Sequence, residues 1–541
     1  MDVILRLGIM RKLQIILGAV LIIASTSFMM NTSKVKRKNP AVKPLETVSS
    51  LMSPEEMFVM NHPKREFRSA WITTFTNLDW PSKRGLTSEQ QKAEFLTIIN
   101  DFQDNSINAV VGQVRASSDA FYKSEISPWS EWLTGIQGKA PDNDFDPLRF
   151  MVDECHERNM EFHAWFNPFR AVSHTKFSSV AKNHISNTNP EWFFTYGNSK
   201  YYNPGIPAVR KYICEVVKEV VENYDIDGVH FDDYFYPYTI EGQKIPDAKQ
   251  YATNNRGCTS LDDWRRDNIN LLIQEVSKTI KTAKKHVKFG VSPLAIWRNK
   301  KQDPEGSYTN SGQSSYDNLY CDTKLWIEED WVDYMAPQLY WSTKNEFANY
   351  NNLINWWTKY SHERHLYVGH AIYKLDERNR HSFKTAELMN QVNICRKNGK
   401  VDGSIYFRAK AFVSNHQNFQ KTMNASIYKY PSLVPAMNWI DSIPPSAPLK
   451  LKAKVKEDNV VLKWKAPKYR SVNDSATYYV VYRFEENEVI DLQFSNKIVS
   501  IQKQTEFIDS SATSSSCFKY AVTAVDRLHN ESVKFASAEL K

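Results

Sequence analysis

The sequence predicts an α/β protein, a (β/α)8 TIM barrel followed by a small all-β sandwich, and three observations carry that prediction. Eight apolar, strand-like runs alternate with segments that bear helix signals. A proline-rich stretch at 443–448 then breaks the pattern, and beyond it the chain holds only short runs suited to strands. The boundaries expected are 1–30 for a signal peptide or signal anchor, 31–63 for a linker, 64–440 for the barrel and 441–541 for the sandwich.

The eight runs fall at 67–75, 107–115, 161–168, 227–235, 288–295, 331–341, 365–373 and 401–409. Helix signals sit between them. The polar segment 88–96 has helical character, and Asp146 followed by Pro147 reads as an N-cap with proline at the first helical position. Eight strand–helix units make a barrel enlarged by long loops. In the last domain the strands are expected at 460–464, 478–484 and 517–525. An early-strand tryptophan and Tyr520 within Lys519-Tyr520-Ala521-Val522 resemble the core ring and tyrosine corner of the fibronectin type III sandwich. The proline stretch is expected to act as a hinge that holds the barrel away from this tail domain.

Composition bounds the function. The 541 residues are 42% apolar and 13% aromatic, and Lys plus Arg (69) exceeds Asp plus Glu (61) by a scattered +8, so there is no basic footprint for nucleic acid. The 15 Trp, 27 Tyr and 28 Phe supply rings that stack on sugar faces as well as packing a core. Arg11 and Lys12 precede an apolar stretch from Leu13 to about Met30, the form of a secretory signal. Cleaved or retained as a membrane anchor, it implies an exported body in the periplasm or cell envelope. Six dispersed cysteines without Cys-x-x-Cys indicate neither zinc nor a disulfide framework.

The functional face of such a barrel lies at the C-terminal strand ends. The fourth run, Asp227-Gly228-Val229-His230-Phe231-Asp232-Asp233-Tyr234-Phe235-Tyr236-Pro237, ends in two adjacent carboxylates among aromatic rings. Asp232 and Asp233 are therefore the catalytic candidates. Adjacent residues of a regular strand point to opposite faces, so both acids reach one site only if the strand has already ended before them. The other strand ends offer substrate-binding candidates: Trp71, Asp79 and Trp80; Arg115; Asn167 and Arg170; His230, Tyr234 and Tyr236; Trp297 and Arg298; Gln338, Tyr340 and Trp341; Tyr373; and Arg408. Aromatics combined with amide, guanidinium and carboxyl groups suit a polyhydroxylated ligand. His163, His230 and His370 form no His-x-His or His-x-x-x-His pair, and no glycine-rich phosphate loop or Gly-x-Ser-x-Gly elbow occurs, so neither metal nor cofactor is expected.

Several strings together resemble the glycosyl hydrolase-like 10 family of bacterial envelope proteins. They are Glu66-Phe67-Arg68-Ser69-Ala70-Trp71, Asn77-Leu78-Asp79-Trp80-Pro81-Ser82, His163-Ala164-Trp165-Phe166-Asn167-Pro168-Phe169-Arg170, the fourth-strand run, Ser292-Pro293-Leu294-Ala295-Ile296-Trp297-Arg298, Ala336-Pro337-Gln338-Leu339-Tyr340-Trp341 and Gly369-His370-Ala371-Ile372-Tyr373. The resemblance implies a (β/α)8 glycoside hydrolase, with peptide-free peptidoglycan strands as substrate. The adjacent acids also look like those of substrate-assisted N-acetylhexosaminidases, which implies Asp232 orienting a 2-acetamido group and Asp233 acting as general acid. A rival places the second carboxylate at Asp79 or Asp376. A chitinase signature Asp-x-x-Asp-x-Asp-x-Glu is broken by His230 and Tyr234. Two alternatives stay open: a hydrolase of chitin-like or dietary polysaccharide, and a non-catalytic glycan-binding envelope protein.

Overall fold

Eight parallel strands close on themselves: β1 (Phe67–Ile72), β2 (Ala109–Arg115), β3 (Glu161–Phe166), β4 (Gly228–Phe231), β5 (Lys288–Val291), β6 (Tyr334–Met335), β7 (His365–His370) and β8 (Gly403–Tyr406). The computed structural model describes residues 52–469, 471, 474–512 and 517–540. The expected signal and most of the linker therefore lie outside the described residues. Residues Pro54–Asn61, expected within the linker, instead form a helix, because Ser53 and Glu56 complete a capping box ahead of Pro54.

All eight expected strands are present, and all but β2, which reaches Arg115, end before the apolar run does. The register closes the barrel with Phe67 opposite Gly403, Ser69 opposite Ala109 and His163 opposite Gly228. Helices cover the outside. Ser88–Asp104 starts at a Thr87/Gln90 capping box, and Pro147–Glu157 starts at Asp146, whose side chain accepts from the Arg149 amide. Along β4, Val229 and Phe231 join the apolar layer beneath the helices, while His230 is buried in the barrel interior. Glu66 anchors the outer wall, since its carboxylate accepts from Arg68 Nε at 2.8 Å and Arg396 Nη2 at 2.7 Å with all three side chains buried.

The C-terminal domain is all-β. Its strands are β9 (Leu449–Lys456), β10 (Asn459–Lys465), β11 (Tyr478–Glu485), β12 (Ile498–Gln502), β13 (Glu506–Asp509), β14 (Phe518–Val525) and β15 (Ala536–Glu539). They pair antiparallel as β9-β10-β13 and β12-β11-β14-β15. Val460, Leu462 and Trp464 alternate inward from β10 to meet Tyr479, Val481 and Tyr520. The Tyr520 hydroxyl donates to Asp509 Oδ2 at 2.9 Å.

The proline stretch does not hold this domain away from the barrel. The loop after β14 is docked on the N-terminal strand ends, where Leu528 packs with Phe67, Ala109, Val434, Met437 and Ile440. Around that apolar plug, Arg527 Nη1 donates to Asp225 Oδ1 at 2.6 Å, His529 Nε2 meets Glu161 Oε1 at 2.6 Å, and Lys64 Nζ donates to Glu531 Oε2 at 2.6 Å. Proline fixes backbone angles but does not decide whether the flanking bodies have complementary surfaces. We expect barrel and β domain to unfold in one calorimetric transition. Leu528→Ala should lower its stability by about 2–5 kcal/mol, as for other buried leucines, without splitting the peak.

Candidate active site

The end of β4 at Phe231 decides the geometry of the site. Asp232 and Asp233 lie beyond the strand, are both 5% exposed, and are freed from the alternation that would send them to opposite faces. Each has its own holder. Asn167, beyond β3, donates from Nδ2 to Asp232 Oδ2, and the Tyr234 backbone N–H donates to Asp232 Oδ1 at 3.1 Å. Gln338, beyond β6, donates from Nε2 to Asp233 Oδ1 at 2.8 Å, and the Tyr238 hydroxyl donates to Asp233 Oδ2.

The orientation of these amides is forced. Gln113 Oε1 accepts from the backbone N–H groups of Thr74 at 2.9 Å and Phe75 at 2.8 Å, so its Nε2 must face Asn167 Oδ1, at 2.6 Å. Asn167 is then left with its N–H₂ toward Asp232. A chain of amides thus runs from the loop after β1 across β2 and β3 to the first acid. Gln338 is pinned likewise, by a second bond from its Nε2 to the Ser292 carbonyl at 2.9 Å.

Electrostatics set the proton count. Burial and then the charge of Asp233 push the Asp232 carboxyl up to about 7, against the pull of Arg170 and the donors from Tyr234 and Asn167. Burial also raises Asp233, against the bonds from Tyr238 and Gln338. Two buried carboxyls side by side therefore retain one proton near neutrality, as acid–base chemistry on a glycosidic bond requires. Arg170 sits with its guanidinium 4.3 Å from the Phe75 ring and 4.6 Å from that of Tyr234.

The floor and wall are aromatic. Trp71 donates from its indole Nε1 to His230 Nε2 at 3.3 Å and meets Phe407 edge-on at 6.0 Å. Tyr340 stacks on Phe407 at 5.9 Å and meets Tyr373 at 6.0 Å, and Trp341 is partly buried beside it in sequence. The structure thus gathers Asp232, Asp233, Asn167, Arg170, Tyr234 and Gln338 directly, with Trp71, His230, Tyr340 and Tyr373 around them.

Other expected binding residues are turned away. Trp80 is wholly buried against Phe95 and Phe121, its indole donating to the Gln91 carbonyl. Arg115 is enclosed with Tyr202 and Tyr212, and Tyr236 with Tyr320 and Asn268. Trp297 stacks on Trp356 at 5.6 Å, while Arg298 pairs with Asp303 and Asp317. Asp79 and Arg408 pair with each other at 3.1 Å and tie the β1 and β8 loops together, and Asp376 pairs with Arg378. Neither rival carboxylate is thus directed at the acid pair. Tyr238 was not among the expected residues; its signal was the run of tyrosines that continues past Pro237. A cavity of about 580 Å³ between His156, Asp227 and Arg527 lies at the opposite end of the barrel, at the domain junction.

A closed parallel barrel with an acid pair beyond its fourth strand is the arrangement of a glycoside hydrolase. A family model described as glycosyl hydrolase-like 10 matches residues 66–385, and the chain belongs to that family. Glycosyl hydrolase YngK of Bacillus subtilis (strain 168) is 42% identical over 473 residues, 86% of this chain and 92% of that one. Glycosyl hydrolase DigH of Escherichia coli (strain K12) is 37% identical over 366 residues, 63% of this chain and 82% of that one. Among solved structures, the PgaB (BpsB) glycoside hydrolase domain from Bordetella bronchiseptica is similar with a TM-score of 0.44 at 12% identity, covering 67% of this chain and 98% of that one. The protein is a glycoside hydrolase.

The raised Asp232 carboxyl has a stability consequence. The folded state holds its proton up to about 7, whereas the unfolded chain releases it near 4, so this group makes stability fall as pH rises between those values. Asp232→Asn should therefore raise the melting temperature at pH 8, and by less at pH 5, in paired thermal scans.

Proposed function

We propose that the protein is an exported hydrolase of amino-sugar glycans, with peptide-free peptidoglycan strands as its substrate. The observation that carries the reading is the acid pair itself: adjacent, buried beyond the end of β4, and held by separate amides from β3 and β6. In that arrangement Asp232 orients the sugar's own 2-acetamido group, while Asp233 protonates the glycosidic oxygen. An N-acetyl sugar is then obligatory, because the nucleophile belongs to the substrate. Exposed rings support a chain-long ligand: Phe177 follows β3, Tyr308 follows β5 and Phe347 follows β6, all at the end of the barrel that carries the acids. Export is supported by the basic-then-apolar leader up to about Met30.

One observation favours the reversed assignment. The proton is held up to about 7 at Asp232, which suits a general acid at that position. The two orders separate on an aryl N-acetylglucosaminide, whose leaving group needs no protonation: the variant lacking the acid keeps turnover there, and the variant lacking the acetamide partner does not.

The test of the reading is mass spectrometry of soluble products from residues 31–541, with intact peptidoglycan, amidase-stripped glycan strands and chitin oligomers. Products from the stripped strands alone are expected, and Asp233→Asn should reduce them by about 10²- to 10⁴-fold. Full activity of that variant, or products from chitin oligomers alone, would contradict it.

A further inference from the structure

A continuous column of buried polar side chains runs through the barrel from the β domain to the floor of the site. Its lower end is Tyr478, whose hydroxyl lies 2.9 Å from His529 Nδ1, and His529 Nε2 lies 2.6 Å from Glu161 Oε1. Glu161 Oε2 lies 2.9 Å from His163 Nε2, and His163 Nδ1 lies 2.8 Å from the Tyr334 hydroxyl. Tyr334 in turn lies 3.0 Å from His230 Nδ1, and His230 Nε2 receives both Ser292 Oγ at 2.8 Å and Trp71 Nε1 at 3.3 Å. Two glycines make the room. A Cβ on Gly228 would stand 2.6 Å from His163 Nδ1, and one on Gly290 would overlap the Tyr334 ring.

The direction of every bond in this column is determined. An indole N–H has no lone pair to accept with, so His230 Nε2 must be the acceptor and the ring carries its proton on Nδ1. That N–H donates to Tyr334, whose single proton then goes to His163 Nδ1. His163 is left with its proton on Nε2, facing Glu161. Reasoning from the other end gives the same result, because Glu161 is an anion that can only accept. Burial works against its charge, and the Lys288 ammonium, with His529, holds it well below the usual carboxylate range. All donors therefore point toward one carboxylate, a fully satisfied network of the kind that fixes a unique arrangement.

The upper end leads to the acids. Ser292 donates to His230 from its hydroxyl, and its carbonyl accepts from Gln338, the residue that holds Asp233. A His230 ring with its proton on Nε2 would set that N–H against the Trp71 indole N–H and turn the Ser292 hydroxyl from donor to acceptor.

We propose that Glu161, His163 and Tyr334 are positioning residues for the acid pair, acting through the Nδ1–H form of His230, and that the β domain supplies the lower end of the same device through His529. The β domain then belongs to the catalytic unit rather than serving as an appendage.

The test uses residues 31–541 with ¹⁵N-labelled histidine. Long-range ¹⁵N–¹H spectra should show His230 protonated on Nδ1 and His163 on Nε2, with assignments made from single His→Gln variants. Tyr334→Phe should lose the His230 signature and lower kcat by about tenfold or more, with KM changed less than threefold, the pattern of a misplaced catalytic group. His529→Leu should move kcat in the same direction, and His529→Gln, which keeps an N–H toward Glu161, should restore it. His230 found in the Nε2–H form in the wild type would overturn the proposal, as would wild-type kcat in Tyr334→Phe or in His529→Leu. The turnover arm uses amidase-stripped glycan strands and rests on the reading above, whereas the spectra do not. Wild-type protein without turnover but with the expected tautomers would count against the substrate and for the column.

Discussion

Two carboxyl groups placed side by side out of water repel each other, and the C-terminal face of this barrel is organised around that repulsion. Burial alone would neutralise both, and bonds from amide and hydroxyl donors alone would ionise both. The balance retains one proton on the pair, with Asp232 pushed up to about 7. Such a pair is costly to the fold and useful to the reaction, the usual trade at an active site. The early end of β4 at Phe231 is the local condition for it, since a longer strand would separate the two side chains.

What keeps the pair in place is polar rather than apolar. The chain Gln113–Asn167–Asp232 draws its direction from two backbone N–H groups beyond β1, and Gln338 draws its own from the Ser292 carbonyl. Beneath them, the interior that a (β/α)8 barrel usually fills with branched aliphatic residues here carries His163, His230 and Tyr334 as well. These groups are affordable inside only because each finds a partner, down to Glu161 and Lys288 at the lower rim. The β domain covers that rim with Leu528 and His529.

Much of this was legible in the sequence because it rests on short-range patterns. Eight apolar runs marked eight strands, the Asp146-Pro147 start marked its helix, and the Asp232-Asp233 pair marked the candidate site. What failed depends on direction and on distant surfaces. A residue just past a strand end has a known height along the barrel axis but no fixed side, so Trp80, Tyr236 and Trp297 turn outward beneath the covering helices and loops while Tyr340 and Tyr373 turn inward. Tyr238 is not marked by periodicity, because the irregular segment 232–238 that returns its hydroxyl to Asp233 has none. The docking of the β domain was equally hidden, since Arg527, Leu528 and His529 form an ordinary loop until the barrel rim is placed opposite them.

The chemistry of the site depends on an acid pair that holds one proton at neutral pH. Carbon-13 spectra of protein labelled at the aspartate carboxyl carbons, followed from pH 4 to pH 9, test it most directly. One buried carboxyl should titrate near 7 and be absent from Asp232→Asn, with its neighbour perturbed in the same spectra. Aspartates that have all ionised by pH 5 would contradict it.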